Sequence, residues 1–170
     1  MTEEIVKQQE PIPQSKRKII LCNTDECTGC RICEYVCAVV NEGVQNPRLS
    51  RIRVIRIDPV FDLALACRKC EHPTCLDACA RSAITQDPVT NIIHIDEEKC
   101  DGCGFCVEIC NFGVLTIGID KKVSFVCDTC ETNNNGDPAC VEYCPKEALS
   151  FVSIDDCTDE RVKTFHQVLQ

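Results

Sequence analysis

The chain has 170 residues, eighteen cysteines and a formal net charge of −9, and this composition alone excludes several function classes. Such a cysteine density is typical of disulfide scaffolds, zinc arrays and iron–sulfur proteins. The negative charge argues against a nucleic-acid-binding protein. Residues 1–18 contain no apolar signal segment and no small-residue cleavage site, so we expect a cytoplasmic protein without a disulfide framework.

Short strands and single helical turns are the elements that the sequence predicts. Residues 1–18 are polar, and we expect them to form an extended or disordered arm. The alternation of β-branched residues predicts strands at 51–57, 92–95, 115–119, 123–126 and 149–154. Pro88 and Asn91 predict a hairpin turn between Ile84 and Ile92. The longest apolar run, residues 61–67, is far below the roughly 20 residues that a membrane-spanning helix needs.

Sixteen of the cysteines form an internal repeat of four groups, which we call quartets one to four. A short apolar stretch follows three of the quartets, so each unit is predicted to be a ligand loop, one helical turn and a strand. In chain order the quartets are Cys27, Cys30, Cys33, Cys37; Cys67, Cys70, Cys75, Cys79; Cys100, Cys103, Cys106, Cys110; and Cys127, Cys130, Cys140, Cys144.

The spacing within the quartets indicates iron–sulfur ligation. Quartets one and three read C-x2-C-x2-C-x3-C, so three thiolates from one loop can surround one Fe–S cube while the fourth points elsewhere. In two-cluster bacterial ferredoxins that last cysteine ligates the other cluster of the pair. Gly29, Gly102 and Gly104 lie beside the ligands, where backbone N–H groups must approach sulfide closely. Quartets two and four have spacers of four and nine residues before the third cysteine in place of two, which lengthen the loop without moving the ligands.

Zinc is the alternative reading of paired C-x2-C groups. A zinc ribbon uses two such pairs separated by a longer spacer, so the third cysteine of quartets one and three would be surplus. The alternative stays open for quartet four, because a long loop separates Cys130 from Cys140.

Several residues outside the quartets also carry predictions. We expect Cys22 and Cys157 to be buried free thiols. Arg68 and Lys69 lie between two ligands, where they either raise the potential of a neighbouring cluster or belong to a solvated surface. No catalytic triad, phosphate-binding glycine loop or dinucleotide fingerprint is present in the sequence, so we predict no catalytic residue and no enzymatic activity of the chain itself.

The succession of four such quartets resembles the four-cluster ferredoxin-type subunits of molybdenum and tungsten oxidoreductases, formate dehydrogenases and carbon monoxide dehydrogenase, from Cys27 to Phe151. A narrower resemblance lies in CTGCRICE, which begins at Cys27, and in EGVQNPRLSRIRV, which begins at Glu42. These segments are similar to the small subunits of tungsten-dependent aldehyde oxidoreductases and of the tungsten-type benzoyl-CoA reductase complex.

The resemblance implies four [4Fe–4S] clusters, because in that family quartet one pairs with quartet four and quartet two with quartet three. On this chain the implied ligand sets are Cys27, Cys30, Cys33 with Cys144; Cys127, Cys130, Cys140 with Cys37; Cys67, Cys70, Cys75 with Cys110; and Cys100, Cys103, Cys106 with Cys79.

The expected architecture is α+β, with tandem dicluster ferredoxin folds in which short hairpins and helices surround the clusters. The inner unit would comprise residues 58–121, and the outer unit residues 19–57 together with 122–157. Residues 158–170 would form a C-terminal tail with one surface helical turn.

The expected function is electron transfer to or from a larger catalytic subunit with a tungsten or molybdenum pterin. A flavin or ferredoxin redox partner is a further expectation. The alternative is a free polyferredoxin that shuttles electrons between soluble partners. Four clusters favour the subunit, since a shuttle needs only one or two.

Overall fold

The computed structural model describes residues 17–57, 61–134 and 136–154, and shows the predicted α+β architecture of short elements. The predictions for the N-terminal arm up to residue 16, for the C-terminal tail and for Cys157 lie outside the described residues. The strands are β1 Lys18–Cys22, β2 Arg53–Ile57, β3 Phe61–Leu65, β4 Ile84–Gln86, β5 Ile93–Ile95, β6 Thr116–Ile117, β7 Ser124–Phe125 and β8 Leu149–Ser153. The α-helices are α1 Ile32–Glu42, α2 Thr74–Asp77, α3 Phe105–Glu108 and α4 Ala139–Glu142, and a 3₁₀ turn spans Pro47–Leu49.

The described strands pair two by two into antiparallel sheets. Three of the pairs, β2–β3, β4–β5 and β6–β7, are hairpins between neighbouring strands. The fourth pairs β1 with β8, so that Lys18 lies opposite Ser153 and Cys22 opposite Leu149. This last pair brings the start and the end of the described chain together, and with them quartets one and four.

The hairpin predicted between Ile84 and Ile92 is confirmed, since β4 and β5 pair with Ile84 opposite Ile95. Asp87 forms the turn, because its Oδ1 accepts the backbone N–H groups of Val89 at 2.9 Å and Thr90 at 2.6 Å. These hydrogen bonds lower the pKa of the Asp87 carboxyl.

Helix α1 is longer than the single turn that the sequence analysis expected, with eleven residues. Its sequence contains neither glycine nor proline before Gly43, so nothing interrupts it earlier. Gly43 then ends the helix in the left-handed conformation, with φ of 70° and its N–H bonded to the Val39 carbonyl.

The two predicted units are joined by more than a linker. Helix α1 packs against α4 and α2 against α3, which matches the division into an outer and an inner unit. Hairpins β2–β3 and β6–β7, however, each place one strand on either side of the boundaries at residues 57/58 and 121/122. The exact division into two units stays a prediction.

Cysteines form a large part of the buried core. Aliphatic side chains such as Ile20, Ile52, Ala64 and Val114 pack in one cluster with a set of buried thiols, namely Cys33, Cys37, Cys67, Cys106, Cys127 and Cys140.

Within the described ranges no helix is long and apolar enough to cross a bilayer.

Candidate metal centres

The structure gathers the sixteen quartet cysteines into four sets of four, each with three cysteines of one quartet and the last cysteine of another. Cys27, Cys30, Cys33 and Cys144 line one cavity, here called the Cys27 site. Cys67, Cys70, Cys75 and Cys110 line a second, the Cys67 site. Cys79, Cys100, Cys103 and Cys106 line a third, the Cys100 site.

The fourth set, the Cys127 site, lies next to α1 and α4. Cys140 on α4 has Cys127, Cys37 and Cys130 as its strongest electrostatic neighbours, and both Cys127 and Cys130 also interact with Cys37. Cys37 therefore lies among the cysteines of quartet four although it belongs to quartet one. The structure thus places the cysteines in the same four groups that the resemblance implies; whether each group ligates a cluster is a separate question.

Helix α1 explains how one quartet serves two sites. Cys33 and Cys37 are four residues apart on this helix, and such a spacing places two side chains on the same helix face. Cys33 lines the Cys27 site, whereas Cys37 lies among the cysteines of the Cys127 site. The helix therefore runs past two sites that share its buried face.

Gly102 allows two backbone segments to approach each other closely beside the Cys100 site. Gly102 lies between Cys100 and Cys103 with φ of +68°, and a Cβ at this position would overlap the backbone carbonyl of Lys122. Only glycine fits both the backbone angle and the space.

Backbone N–H groups point at cysteine sulfur atoms in two of the sites, the Cys100 site and the Cys127 site. The donor-to-sulfur distances are 3.2 Å from Arg51 to Cys37, 3.3 Å from Ala83 to Cys79, 3.3 Å from Ser124 to Cys100 and 3.4 Å from Thr129 to Cys127. Hydrogen bonds of this kind favour the thiolate over the thiol, and in iron–sulfur proteins they influence the reduction potential.

Burial raises the pKa of many of these thiols, for Cys33 and Cys75 to about 12 and for Cys67 to about 11. Neighbouring thiolates add to the effect, so four cysteines of one site do not ionise together unless a positive group compensates them. Iron supplies that charge, and four thiolates are the full protein ligand set of a [4Fe–4S] cluster. The four cysteine sets therefore fit such clusters.

Among the described residues, no three histidine, cysteine, aspartate or glutamate side chains are close enough to hold a single metal ion. This finding concerns mononuclear sites. In a [4Fe–4S] cluster each thiolate binds a different iron atom.

Two side chains near the Cys27 site were not recognised from the sequence. Glu34 is 3% exposed, and its Oε1 accepts the backbone N–H of Val54 at 2.8 Å. Its charge contributes to the raised pKa of the Cys33 thiol. Cys22, expected to be buried, is only half-buried at the end of β1 and lies beside Cys27 and Cys144, with its pKa raised by burial to about 11. Their positions could not be predicted from the sequence, because they depend on the contact of Glu34 with Val54 and on the proximity of Cys22 to Cys144, which are distant in the chain.

Arg68 and Lys69 are buried, which excludes the solvated surface that the sequence analysis left open. Arg68 lines the Cys67 site. Arg17 is buried next to them, and its guanidinium pairs with Glu71 at 3.0 Å and donates to the Arg68 carbonyl at 3.3 Å. Burial lowers the pKa of all three side chains, while neighbouring cysteines raise it.

A family model described as a 4Fe–4S dicluster domain matches residues 60–154, more than half of the chain. The chain belongs to the 4Fe–4S dicluster domain family. It is an iron–sulfur protein of the ferredoxin type, its cofactors are [4Fe–4S] clusters and its role lies in electron transport. The family predicted from the quartets is confirmed.

Individual relatives of the chain carry compatible names. The polyferredoxin-like subunit of an aliphatic sulfonate oxidoreductase from Pyrococcus furiosus is 38% identical over 137 residues, which cover 79% of this chain and 77% of the relative. An iron–sulfur protein of Rhodospirillum rubrum is 31% identical over 166 residues, which cover 84% and 86%. Among solved structures, the active-site complex BamBC of benzoyl coenzyme A reductase as isolated matches with a TM-score of 0.48 and 25% identity, over 89% of this chain and 86% of that one.

Proposed function

We propose that the chain is the electron-transfer subunit of an oxidoreductase complex and holds four [4Fe–4S] clusters, one in each of the Cys27, Cys67, Cys100 and Cys127 sites. The observation that carries this proposal is the grouping of the cysteines. Three sites are cavities lined by four cysteines each, and the fourth has the same composition of three cysteines from one quartet and one from another.

The residues of the chain have three tasks in this proposal. The sixteen thiols ligate iron, the backbone N–H groups that point at Cys37, Cys79, Cys100 and Cys127 stabilise the thiolates, and the aliphatic core around them excludes water. When bound, the clusters supply one-electron redox chemistry over a range of potentials that these surroundings set. No side chain acts as acid, base or nucleophile.

The proposed partner is a larger catalytic subunit with a tungsten or molybdenum pterin. Its support is the resemblance of the segments that begin at Cys27 and Glu42 to subunits of tungsten enzymes. The Pyrococcus furiosus relative, named as a subunit of an oxidoreductase, supports a permanent complex more than a free shuttle.

Isolation of the chain from its own cells under strictly anaerobic conditions tests this proposal. We expect a stoichiometric complex with a larger subunit, and metal analysis of that complex should find tungsten or molybdenum beside iron. A cluster-loaded chain that elutes as a monodisperse monomer, with no larger subunit in any fraction, would instead establish the free polyferredoxin.

A further inference from the structure

Two buried cations lie in the loop that joins the first two cysteines of the Cys67 site. Arg68 and Lys69 fill the two positions between Cys67 and Cys70, so both are close to ligands by covalent connection alone. Arg68 is 8% exposed and lines the cavity, and Lys69 is 2% exposed. The burial of two adjacent cations needs a physical explanation, because the chain as a whole has a net charge of −9 and charged side chains are rarely buried.

The contacts of both side chains are neutral. The Arg68 Nη1 donates to the Ile20 carbonyl at 3.2 Å, and its guanidinium lies 5.8 Å from the centre of the Phe112 ring. The Lys69 Nζ donates to the Thr129 Oγ1 at 3.3 Å and lies 5.8 Å from the Phe151 ring centre. Among the described residues neither Arg68 nor Lys69 forms a salt bridge with a carboxylate.

A buried cation without an anionic partner is strongly unfavourable. Cys22, Cys67 and Cys70 are the cysteine neighbours of Arg68, and of these Cys67 and Cys70 supply negative charge once they ligate a cluster. Lys69 interacts most strongly with Cys127 and Cys67, so it lies between the Cys127 and Cys67 sites. At the Cys127 site its charge is opposed by Asp128, whereas at the Cys67 site Arg68 adds to it. A [4Fe–4S] core with four thiolates carries about −2 in its oxidised form and one more negative charge after reduction, so it is an anion that both cations can balance.

The charged neighbours of the other sites differ. Glu34 places a buried carboxylate beside the Cys27 site, and the cation nearest to it, Arg31 at 3.9 Å, lines the cavity but is exposed. Asp128 lies between Cys127 and Cys130, 8% exposed, and pairs with Arg51 at 3.4 Å. At the Cys100 site, Arg81 lines the cavity but forms an exposed ion pair with Asp101 at 2.8 Å.

We propose that Arg68 and Lys69 give the cluster of the Cys67 site the highest reduction potential in this chain, so that an electron entering the protein comes to rest there first. The inference rests on the proposed function. Reduction adds a negative charge to the cluster, and a cation held out of water stabilises that charge far more than a solvated one does. Removing either charge is expected to shift the ratio of reduced to oxidised cluster at a fixed potential by about tenfold or more, which is about 59 mV for a one-electron couple.

An anaerobic redox titration of the full chain, followed by EPR, tests the proposal. Cys110→Ala first assigns the signals, because this change removes a ligand from the Cys67 site alone. We expect the signal with the highest midpoint potential to disappear or change in Cys110→Ala. In Arg68→Met and Lys69→Met the same signal should move to lower potential, and in Arg68→Lys and Lys69→Arg it should stay near that of the parent chain.

Lys99→Gln is the matched control, because Lys99 is also next to a ligand but exposed. It should leave all midpoint potentials in place. The proposal is overturned if the highest signal survives Cys110→Ala unchanged. This outcome decides against it even if the methionine variants lose iron. It is also overturned if iron-replete methionine variants titrate like the parent chain. A parent chain with fewer than four clusters would instead contradict the proposed function.

Discussion

The loop from Cys67 to Cys70 and the loop from Cys127 to Cys130 have the same length but opposite charge. In both, the third residue has a left-handed conformation, with φ of 50° at Lys69 and 58° at Thr129. Both residues are also buried, at 2% and 3% exposure. The first loop carries Arg68 and Lys69 between its cysteines, and the second carries Asp128 and Thr129.

The comparison shows that different residues of these loops determine the positions of the sulfur atoms and the charge around them. Cysteine spacing and the left-handed residue fix where the sulfur atoms lie, and they are shared by both loops. The two residues between the cysteines fix the local charge, and they are free to differ. A repeated fold can in this way hold identical cofactors at different potentials, because cluster potential depends on nearby charge and hydrogen bonds.

The largest effect on the clusters beside the two loops is expected from removing a cysteine that one quartet contributes to the site of another. Cys110→Ala should affect only the cluster of the Cys67 site, and Cys37→Ala only that of the Cys127 site, because each of these cysteines lies among those of another quartet. Iron analysis should show a loss of up to about four of about sixteen iron atoms in each variant. If Cys37→Ala altered only the signal of the Cys27 site, the crossing arrangement would be wrong.

Glu34→Gln extends the comparison to the Cys27 site. The variant keeps an oxygen that can accept the Val54 N–H but removes a buried negative charge beside Cys33. We expect the potential of that cluster to rise, with about a tenfold change in its reduced-to-oxidised ratio at fixed potential, or about 59 mV. Glu42→Gln, on the exposed end of the same helix, is the control in the EPR titration and should have a much smaller effect. An unchanged Cys27-site potential in Glu34→Gln would show that this carboxylate does not set it.

Asp128→Asn reduces the charge difference between the two loops by removing the negative charge of the Cys127–Cys130 loop. It should raise the potential of the cluster in the Cys127 site by less than the tenfold ratio expected for Glu34→Gln. The partner of Asp128, Arg51, lies at 3.4 Å and is largely buried, whereas the partner of Glu34, Arg31, lies at 3.9 Å and is exposed, so more of the Asp128 charge is already neutralised. Titration against Asp120→Asn, an exposed carboxylate, provides the comparison. A fall in the potential of the cluster in the Cys127 site would show that the Asp128 carboxylate does not lower that potential.

Thr129→Val removes the hydroxyl that joins the two loops and preserves the branched shape. The Thr129 Oγ1 accepts from Lys69 at 3.3 Å and donates to the Asp128 carbonyl at 2.6 Å. Loss of these contacts should lower the free energy of unfolding by about 1 to 3 kcal/mol and leave the iron content intact. Denaturant unfolding under anaerobic conditions measures it, with the exposed Thr28→Val as the control. Equal stability of both variants would mean that the contact between the loops contributes nothing.

Much of the fold follows from the sequence, and the failures have physical reasons. The five strands expected from β-branched alternation are present in shorter form, and the turn at Asp87 was predicted from Pro88 and Asn91. Strand β1 was missed, because it exists only through its pairing with β8 more than 120 residues away. Strand β3 was read merely as an apolar run, and its pairing with β2 shows where one unit meets the next.

The cysteine groups could be anticipated more fully than their surroundings. Spacing and the resemblance together implied all four sets, and the structure groups the cysteines in the same way. The burial of Arg68 and Lys69 could not be decided from sequence, since adjacent basic residues are more often solvated. Glu34 at the Cys27 site was likewise invisible, because its role depends on how α1 packs against β2.

Anaerobic determination of iron and acid-labile sulfide in the native chain tests the account most directly. Four [4Fe–4S] clusters predict about sixteen of each per chain. About eight of each, the content of a protein in which only two of the four cysteine sets hold a cluster, would contradict it.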